Sequence, residues 1–154
     1  MNEDLSTPVN QITSDNIVCQ QAEQNDFLLG NRFLKTHGQA TAGRADKLFT
    51  VKINQNLVGA AWLRLIENDY WLRSLFVLPE YRNQKLASKL LDFFHTSVQQ
   101  QSNAKITCLA KAELTEFYLK NGYTAIAFES LSNTWQKQFS PYLQQHPTWQ
   151  IFIR

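Results

Sequence analysis

Glycine, cysteine and long apolar runs are scarce in this chain of 154 residues. Only five glycines occur, and none lies between Gly59 and Gly122. The two cysteines, Cys19 and Cys108, lie far apart, without a CxxC pair or a nearby histidine cluster. This spacing argues against a disulfide framework and against a zinc site. We expect both thiols to be small core residues of a reducing compartment.

The sequence also lacks the marks of a membrane or exported protein. No apolar run approaches the roughly 20 residues that are needed to cross a bilayer. Residues 1–15 are polar and have neither the basic start nor the apolar stretch of a signal peptide. Because they show no periodicity, we expect a flexible N-terminal segment over 1–15 and a single domain over 16–154. A cytoplasmic protein without a membrane partner is predicted.

An excess of charge of one sign is absent as well. Fifteen Lys and Arg residues oppose 13 Asp and Glu residues, which gives a formal net charge of +2. This excess is too small to hold nucleic acid by phosphate neutralisation, and no basic patch with interleaved aromatic residues is visible. We therefore expect no nucleic-acid partner, and an anionic ligand would have to be held by local groups.

The apolar pattern predicts a mixture of strands and helices. The chain is 44% hydrophobic and 12% aromatic, as expected for a packed core. Strands are predicted over 17–19, 48–53, 57–66, 70–77, 105–110 and 123–128, with a closing edge strand over 149–153. Helices are predicted over 21–35, with Leu28 among the inward residues, and over 84–101 and 113–121, while 132–145 is a helix or an ordered loop. A meander followed by a β-α-β crossover indicates an α+β fold, with a mixed, mostly antiparallel sheet and helices on both faces.

The most informative stretch is 72–91, which reads as a strand, a proline stop, a basic turn and a helix start. The N-terminus of a helix exposes unpaired N–H groups and about half a positive charge. A pyrophosphate can therefore bind there although the whole chain is nearly neutral.

This stretch resembles the coenzyme A signature of the GNAT superfamily of N-acetyltransferases. The signature positions are occupied by Val77, Pro79, Arg82, Lys85 and Ala87. A second segment, 117–123, is similar to the family's Tyr-x-x-x-Gly-aromatic motif, and the resemblance extends over roughly residues 16–128. It implies a GNAT-like sheet with a central β-α-β unit that binds acyl-coenzyme A.

The resemblance also implies which residues bind the acetyl-coenzyme A co-substrate. The backbone of the fourth strand would pair with the pantetheine arm and polarise the thioester, and the helix start would hold the pyrophosphate. The residues carried over are Leu75, Phe76, Val77, Arg82, Asn83, Gln84, Lys85, Leu86, Ala87 and Ser88. Tyr118 matches the tyrosine that protonates the departing thiolate in many members, and no metal is implied.

Lys85 departs from the family pattern, because glycine usually stands there, and many members have another glycine in place of Asn83. Glycine allows close approach of the backbone to phosphate. Since any residue can adopt a helical φ, we expect Lys85 to fit with its side chain turned outward, where it could meet a phosphate.

The sequence leaves the general base and the amine acceptor open. Some relatives place a carboxylate on the fourth strand, where this chain has Trp71 and Arg73. The candidates for the base are Glu67, Asp69, His37 and Glu129, and water alone is another option. Acceptor specificity is expected from the loop 36–46 and from 129–148. The aromatic residues of 129–148 either line an acceptor cleft or cover the sheet; they are Trp135, Phe139, Tyr142 and His146.

The predicted function is transfer of an acetyl group from acetyl-coenzyme A to a primary amine of a small molecule, peptide or protein by direct attack. The alternative is a catalytically weak GNAT-fold module that binds coenzyme A or a protein partner. A homodimer formed through the last strand is left open.

Overall fold

The computed structural model describes residues 16–154, and the predicted flexible segment 1–15 lies outside them. Within the described residues, seven strands form one sheet. The strands are β1 (Ile17–Gln21), β2 (Lys47–Ile53), β3 (Asn56–Ile66), β4 (Asp69–Val77), β5 (Ile106–Ala110), β6 (Thr124–Ala125) and β7 (Gln150–Ile153). The helices are α1 (Asn25–Thr36), α2 (Leu86–Gln99), α3 (Thr115–Lys120) and α4 (Asn133–Gln145).

The sheet has the strand order β1-β2-β3-β4-β5-β7-β6. All neighbouring strands run antiparallel except β4 and β5, which run parallel and are joined by the crossover helix α2. The predicted mixed, mostly antiparallel α+β fold is therefore confirmed.

Helices cover both faces of the sheet. On one face, the apolar stripe of α2 is buried against the central strands, as its 3.6-residue spacing predicts. The buried α2 residues are Leu86, Leu90, Leu91, Phe94, His95 and Val98. On the opposite face, Leu34 of α1 packs with Leu48 and Trp62, while Trp135 and Phe139 of α4 pack with Trp71. The helix option for 132–145 is thus correct, and much of α4 covers the sheet.

The predicted start of the first helix at residue 21 is wrong. Gln21 belongs to β1, and the ladder continues through the Ala22 amide, which donates to the carbonyl of Leu48 (2.8 Å). Leu28, which was expected to point inward, is 66% exposed. The helix instead turns Gly30 toward the sheet, where an added Cβ would lie only 2.8 Å from Leu48 Cδ2. Close approach of the backbone at this glycine sets the buried face of α1.

The end of the chain differs from the prediction in strand position. The last strand was expected at the edge, yet β7 lies between β5 and β6. Ile151 and Phe152 are adjacent and both buried, which is the pattern of a strand covered on both faces. The edge strand is β6, and only two residues of the predicted strand 123–128 form it.

Other boundaries shift by a few residues. The helix predicted over 113–121 is a 3-10 turn at Ala112–Leu114 followed by α3, and the helix predicted from residue 84 begins at Leu86. Gly122, with φ of 87°, ends α3 in a left-handed conformation that favours glycine. No helix within residues 16–154 has the length and apolar character needed to cross a membrane.

The helix α2 carries a buried histidine, His95, which faces Tyr123 beside β6. His95 is 2% exposed, and its Nε2 lies 2.6 Å from the hydroxyl of Tyr123. Burial, reinforced by the charge of Arg154, lowers the pKa of His95 to about 3. The folded protein therefore keeps this imidazole neutral, whereas the unfolded chain protonates it at its ordinary pKa near 6.5.

We expect His95 to make stability fall in mild acid. Because protons bind the unfolded state first, unfolding becomes easier as pH drops below about 6.5, by about 2 kcal/mol between pH 7 and pH 5. In His95→Gln this contribution is absent, so its free energy of unfolding should change less over the same interval. Urea titrations followed by tryptophan fluorescence measure the difference. Parallel pH profiles for the two proteins would contradict the assignment.

Candidate active site

The parallel strands β4 and β5 separate soon after they meet. They pair through Tyr70 with Ile106 and through Trp71 with Thr107. Beyond these pairs, residues 72–77 of β4 have no strand partner on this side among the described strands, while β5 continues beside β7. The backbone edge of β4 is therefore open where Leu75, Phe76 and Val77 lie.

A bulge in β4 accompanies this separation. The β3–β4 register shifts between Ala60 and Trp62, and Ser74 has φ of 58°. Bulges bend a strand and increase its local twist. Ser74 Oγ donates to the carbonyl of Ala40 (2.9 Å), which connects the bulge to the loop after α1.

The segment between β4 and α2 is fastened to the end of β4. A 3-10 turn at Pro79–Tyr81 follows the strand. The Nε of Arg82 then donates to the carbonyl of Val77 (2.9 Å), and the guanidinium carbon lies 5.3 Å from the centroid of the Phe76 ring. Arg82 thus shapes this connection as well as placing a positive charge beside it.

Asn83 and Lys85 both have left-handed backbones, with φ of 66° and 65°. The expectation that Lys85 adopts an ordinary helical φ is therefore wrong, because Lys85 caps α2 in the left-handed region. These are the positions at which the family pattern has glycine. The amides of residues 83–88 donate no hydrogen bond to any group within residues 16–154. Successive unpaired amides in such a turn form a concave anion site, to which the dipole of α2 adds.

A groove of about 520 Å³ opens beside these amides. Most of the predicted coenzyme A residues line it, namely Val77, Arg82, Asn83, Lys85, Leu86, Ala87 and Ser88. Leu75, Phe76 and Gln84 do not line it. Leu75 packs against the α2-side core, and Phe76 packs on the opposite face with Phe33.

Four groove residues were missed as ligand-contacting residues: Tyr81, Phe117, Lys120 and Asn121. Phe117 of α3 and Asn121, which caps the end of that helix, are four residues apart and therefore lie on the same side of it. That spacing, beside the second motif, is the signal that could have found them. Lys120 adds a third cation to the groove alongside Arg82 and Lys85.

Tyr118 does not line the groove, although its neighbour Phe117 does. Tyr118 is 5% exposed and its ring stacks on Phe152 (5.3 Å between centroids), while the nearby Cys108 thiol contributes to the raised pKa of its hydroxyl. Cys108 directly follows Thr107, the last β5 residue that pairs with β4. Tyr118 therefore lies at the closed end of the gap between the strands, and burial raises its pKa well above the ordinary value.

The candidates for a general base are scattered. The carboxylate of Glu67 accepts from Ser132 Oγ (2.9 Å), that of Asp69 accepts from the Lys105 amide (2.8 Å), and Glu129 is exposed. His37 stacks on Phe76 of β4, with ring centroids 5.1 Å apart. Of the four candidates, His37 is the one that contacts the open segment of β4. Among the described residues, no three His, Cys, Asp or Glu side chains cluster as metal ligands.

The face of β4 opposite α2 carries aromatic and basic side chains between the loop 36–46 and α4. Arg73 lies near the rings of Trp62, Trp71 and Tyr142. Arg64 forms an ion pair with Asp46 (2.9 Å), which raises the pKa of Arg64 further. Of the four aromatic residues predicted in 129–148, Tyr142 is the one that contacts Arg73. His146 stacks on Trp149 instead.

Comparison with solved structures finds similar folds at low identity. N-acetylglutamate synthase from Neisseria gonorrhoeae, complexed with coenzyme A and N-acetyl-glutamate, has a TM-score of 0.67 and 16% identity over 90% of this chain. This chain spans only 34% of that protein. A GNAT family acetyltransferase from Staphylococcus aureus Mu50 has a TM-score of 0.66 and 21% identity, covering 90% of this chain and 98% of its own.

A plant protein extends the same comparison. Arabidopsis thaliana Naa50, in complex with the bisubstrate analogue CoA-Ac-MVNAL, has a TM-score of 0.63 and 16% identity, covering 90% of this chain and 98% of its own. At these identities the likeness concerns the fold alone. No curated protein matches the sequence.

A family model supplies the sequence evidence. The model of the acetyltransferase (GNAT) domain matches residues 19–136, which include the open β4 edge, the anion site and α3. The resemblance seen in the two motifs is therefore confirmed, and the chain belongs to the GNAT family of acetyltransferases.

Proposed function

We propose that this protein transfers an acetyl group from acetyl-coenzyme A to a primary amine by direct attack of the amine on the thioester. The observation that carries the proposal is the open edge of β4 leading to the unpaired amides of residues 83–88. An extended ligand that binds there could pair one end with the backbone of β4 and place an anionic group at the amides before α2.

The pyrophosphate of the co-substrate would bind at the start of α2. The amides of residues 83–88 and the helix dipole supply partial positive charge there. Arg82, Lys85 and Lys120 supply full charges around the same groove. This local concentration fits a protein whose formal net charge is only +2.

The thioester would lie along the open backbone of Leu75, Phe76 and Val77. An amide directed at the carbonyl oxygen would stabilise the negative charge that develops there as the amine attacks. Removing one such donor typically raises the activation barrier by about 3 kcal/mol. A backbone contact of this kind therefore has a large effect on rate.

Tyr118 would act at the step in which the carbon–sulfur bond breaks. The new carbon–nitrogen bond forms, the thiolate of coenzyme A leaves with the electron pair, and the phenol of Tyr118 donates its proton to that sulfur. Burial raises the pKa of Tyr118, so the phenol is protonated throughout the neutral range. Its place beside Cys108, at the closed end of the gap, suits a group that meets the sulfur of an inserted arm.

The proton of the attacking amine must leave on the acceptor side. His37 is the base candidate that the geometry favours, because it stacks on Phe76 at the open segment of β4. Water remains the other route for this proton.

The neighbouring structures support an amine acceptor without selecting one. One contains an acetylated amino acid, and another contains coenzyme A joined through acetyl to a peptide. A cytoplasmic location and a homodimer stay predictions. Because β7 is paired on both sides, the last strand does not offer a free edge for a dimer.

The second candidate function is a catalytically weak module that binds coenzyme A or a protein partner. The observation that favours it is the open part of β4, residues 72–77, which carries no carboxylate. The one acidic residue of β4, Asp69, lies at its start and accepts a hydrogen bond from Lys105.

Incubation with acetyl-coenzyme A and a panel of primary amines tests the proposal. We expect release of free thiol that depends on both the protein and an amine, and a matching acetylated amine by mass spectrometry. Calorimetry should give micromolar binding of acetyl-coenzyme A, weakened by Arg82→Glu. Binding without thiol release for any amine would favour the module, and absence of binding at millimolar ligand would overturn both functions.

Substitutions at Lys85 separate its charge from its backbone. Lys85→Ala and Lys85→Gly both remove the ammonium, so both should weaken acetyl-coenzyme A binding, by roughly 3- to 10-fold if it meets a phosphate. Only glycine relieves the left-handed backbone, so Lys85→Gly should be more stable than Lys85→Ala by about 1 kcal/mol. Thermal and urea unfolding measure this difference. Equal stabilities would show that the left-handed conformation carries no strain.

Tyr118→Phe tests the proton donor. Since the ring is kept, we expect normal folding and unchanged affinity for acetyl-coenzyme A, with turnover lowered by about 100-fold or more. Tyr123→Phe is the matched control, because it also removes a buried hydroxyl from a tyrosine that packs on Tyr118, but one whose hydroxyl lies 2.6 Å from His95 Nε2. Equal effects of the two substitutions on turnover would count against the role of Tyr118.

A further inference from the structure

Arg73 lies among aromatic rings on the face of β4 opposite α2. Its guanidinium carbon is 4.5 Å from the ring centroid of Trp71, 5.2 Å from Trp62 and 5.4 Å from Tyr142. These rings come from three elements, since Trp62 is its cross-strand partner on β3 and Tyr142 belongs to α4. Stacking on ring faces holds the planar cation while leaving its N–H edge available.

The polar edge of Arg73 is unused within the described chain. Its side chain is half-buried, yet it donates no hydrogen bond to any described group and pairs with no described carboxylate. A guanidinium has five N–H donors, and those of Arg73 are not among the buried side-chain atoms without a partner in residues 16–154, so they reach solvent and are accessible to a ligand. The aromatic neighbours supply none of the acceptors that these donors need.

Arg64, its neighbour on β3, shows the contrast. It also lies over Trp62, at 4.8 Å from the ring centroid, but both its Nε and Nη2 donate to the carboxylate of Asp46, at 3.1 and 2.9 Å. Two arginines therefore share one aromatic surface, and within residues 16–154 Arg64 has a carboxylate partner while Arg73 has none. The Arg73 guanidinium is thus available to an anionic ligand.

The position of Arg73 relates this charge to the proposed chemistry. It immediately precedes Ser74, whose φ of 58° marks the bulge, and the open backbone of Leu75 to Val77 follows. A strained residue that is held by surrounding contacts is typical of ligand sites. Arg73 faces away from α2, so an anion that it binds would lie on the side opposite the pyrophosphate site and next to the thioester.

We propose that Arg73 binds a carboxylate of the acceptor, so that the acceptor is a primary amine that carries a carboxylate. This inference rests on the proposed acetyl transfer. Carboxylate oxygens match the paired N–H donors of a guanidinium, and the surrounding rings hold the plane of the guanidinium in place for that contact. The carboxylate could belong to a free amino acid or to an acidic residue near the N-terminus of a peptide.

Matched pairs of amines test the inference. Each pair has the same amine with either a carboxylate or its carboxamide: free amino acids against amino acid amides, and peptides with Asp or Glu at the second position against Asn or Gln. The wild-type protein should favour the carboxylate member by about 10- to 100-fold in kcat/KM. The pair with the larger ratio identifies which source the site accepts.

Arg73→Gln should abolish this preference by raising KM for the carboxylate member, while kcat/KM for the carboxamide stays within about threefold. Arg73→Lys should recover part of the preference, because it restores the charge without the planar fork. Arg32→Gln, at an exposed position on α1, is the control for loss of one positive charge. Equal losses for both members of a pair, or no preference in the wild type, would overturn the assignment.

Calorimetry separates this inference from the proposed function. Titration of each amine pair into the protein saturated with coenzyme A reports acceptor binding without turnover. Carboxylate-dependent binding that Arg73→Gln removes, without acetyl transfer, would uphold the carboxylate site and overturn the transferase. Acetyl transfer and binding that are equal for the carboxylate and carboxamide members would uphold the transferase and overturn the carboxylate site.

Discussion

Backbone pairing between β4 and β5 ends after Trp71 and Thr107, and the rest of the site depends on this separation. The bulge at Ser74 bends β4, while β5 follows β7 instead. Because the strands are parallel, the crossover helix α2 must begin at the same end at which they part. The unpaired edge of β4 and the unpaired amides at the start of α2 therefore lie at the same end of the sheet.

The loop before α2 reaches this geometry without glycine. Asn83 and Lys85 both occupy the left-handed region, and Asn tolerates it better than Lys does. Arg82 fastens the preceding residues through the Val77 carbonyl, and the Lys85 carbonyl accepts from the Lys89 amide as α2 begins. Surrounding contacts thus fix a backbone that the side chains alone do not favour. Scarcity of glycine in the sequence says little about the shape of this loop.

Much of the fold could be predicted from the sequence because periodicity reports burial. The apolar stripe of α2 is an example, and the two motifs located the groove. Failures occurred where a distant contact decides the outcome. Leu28 is exposed because Gly30 brings α1 close to Leu48, and β7 is interior because β6 pairs along its other edge. No local pattern contains either fact.

The same limit applies to the acceptor side. Arg73 is an unremarkable strand residue in the sequence, and its setting depends on β3, β4 and α4 meeting around it. Whether it is neutralised depends on Asp46, which the fold assigns to Arg64 instead. The two faces of β4 consequently offer different groups for binding an anion. The α2 face presents backbone amides with three cationic side chains around the groove, which suits a phosphate ligand. The opposite face presents one oriented guanidinium between rings, which discriminates by the position of a single carboxylate.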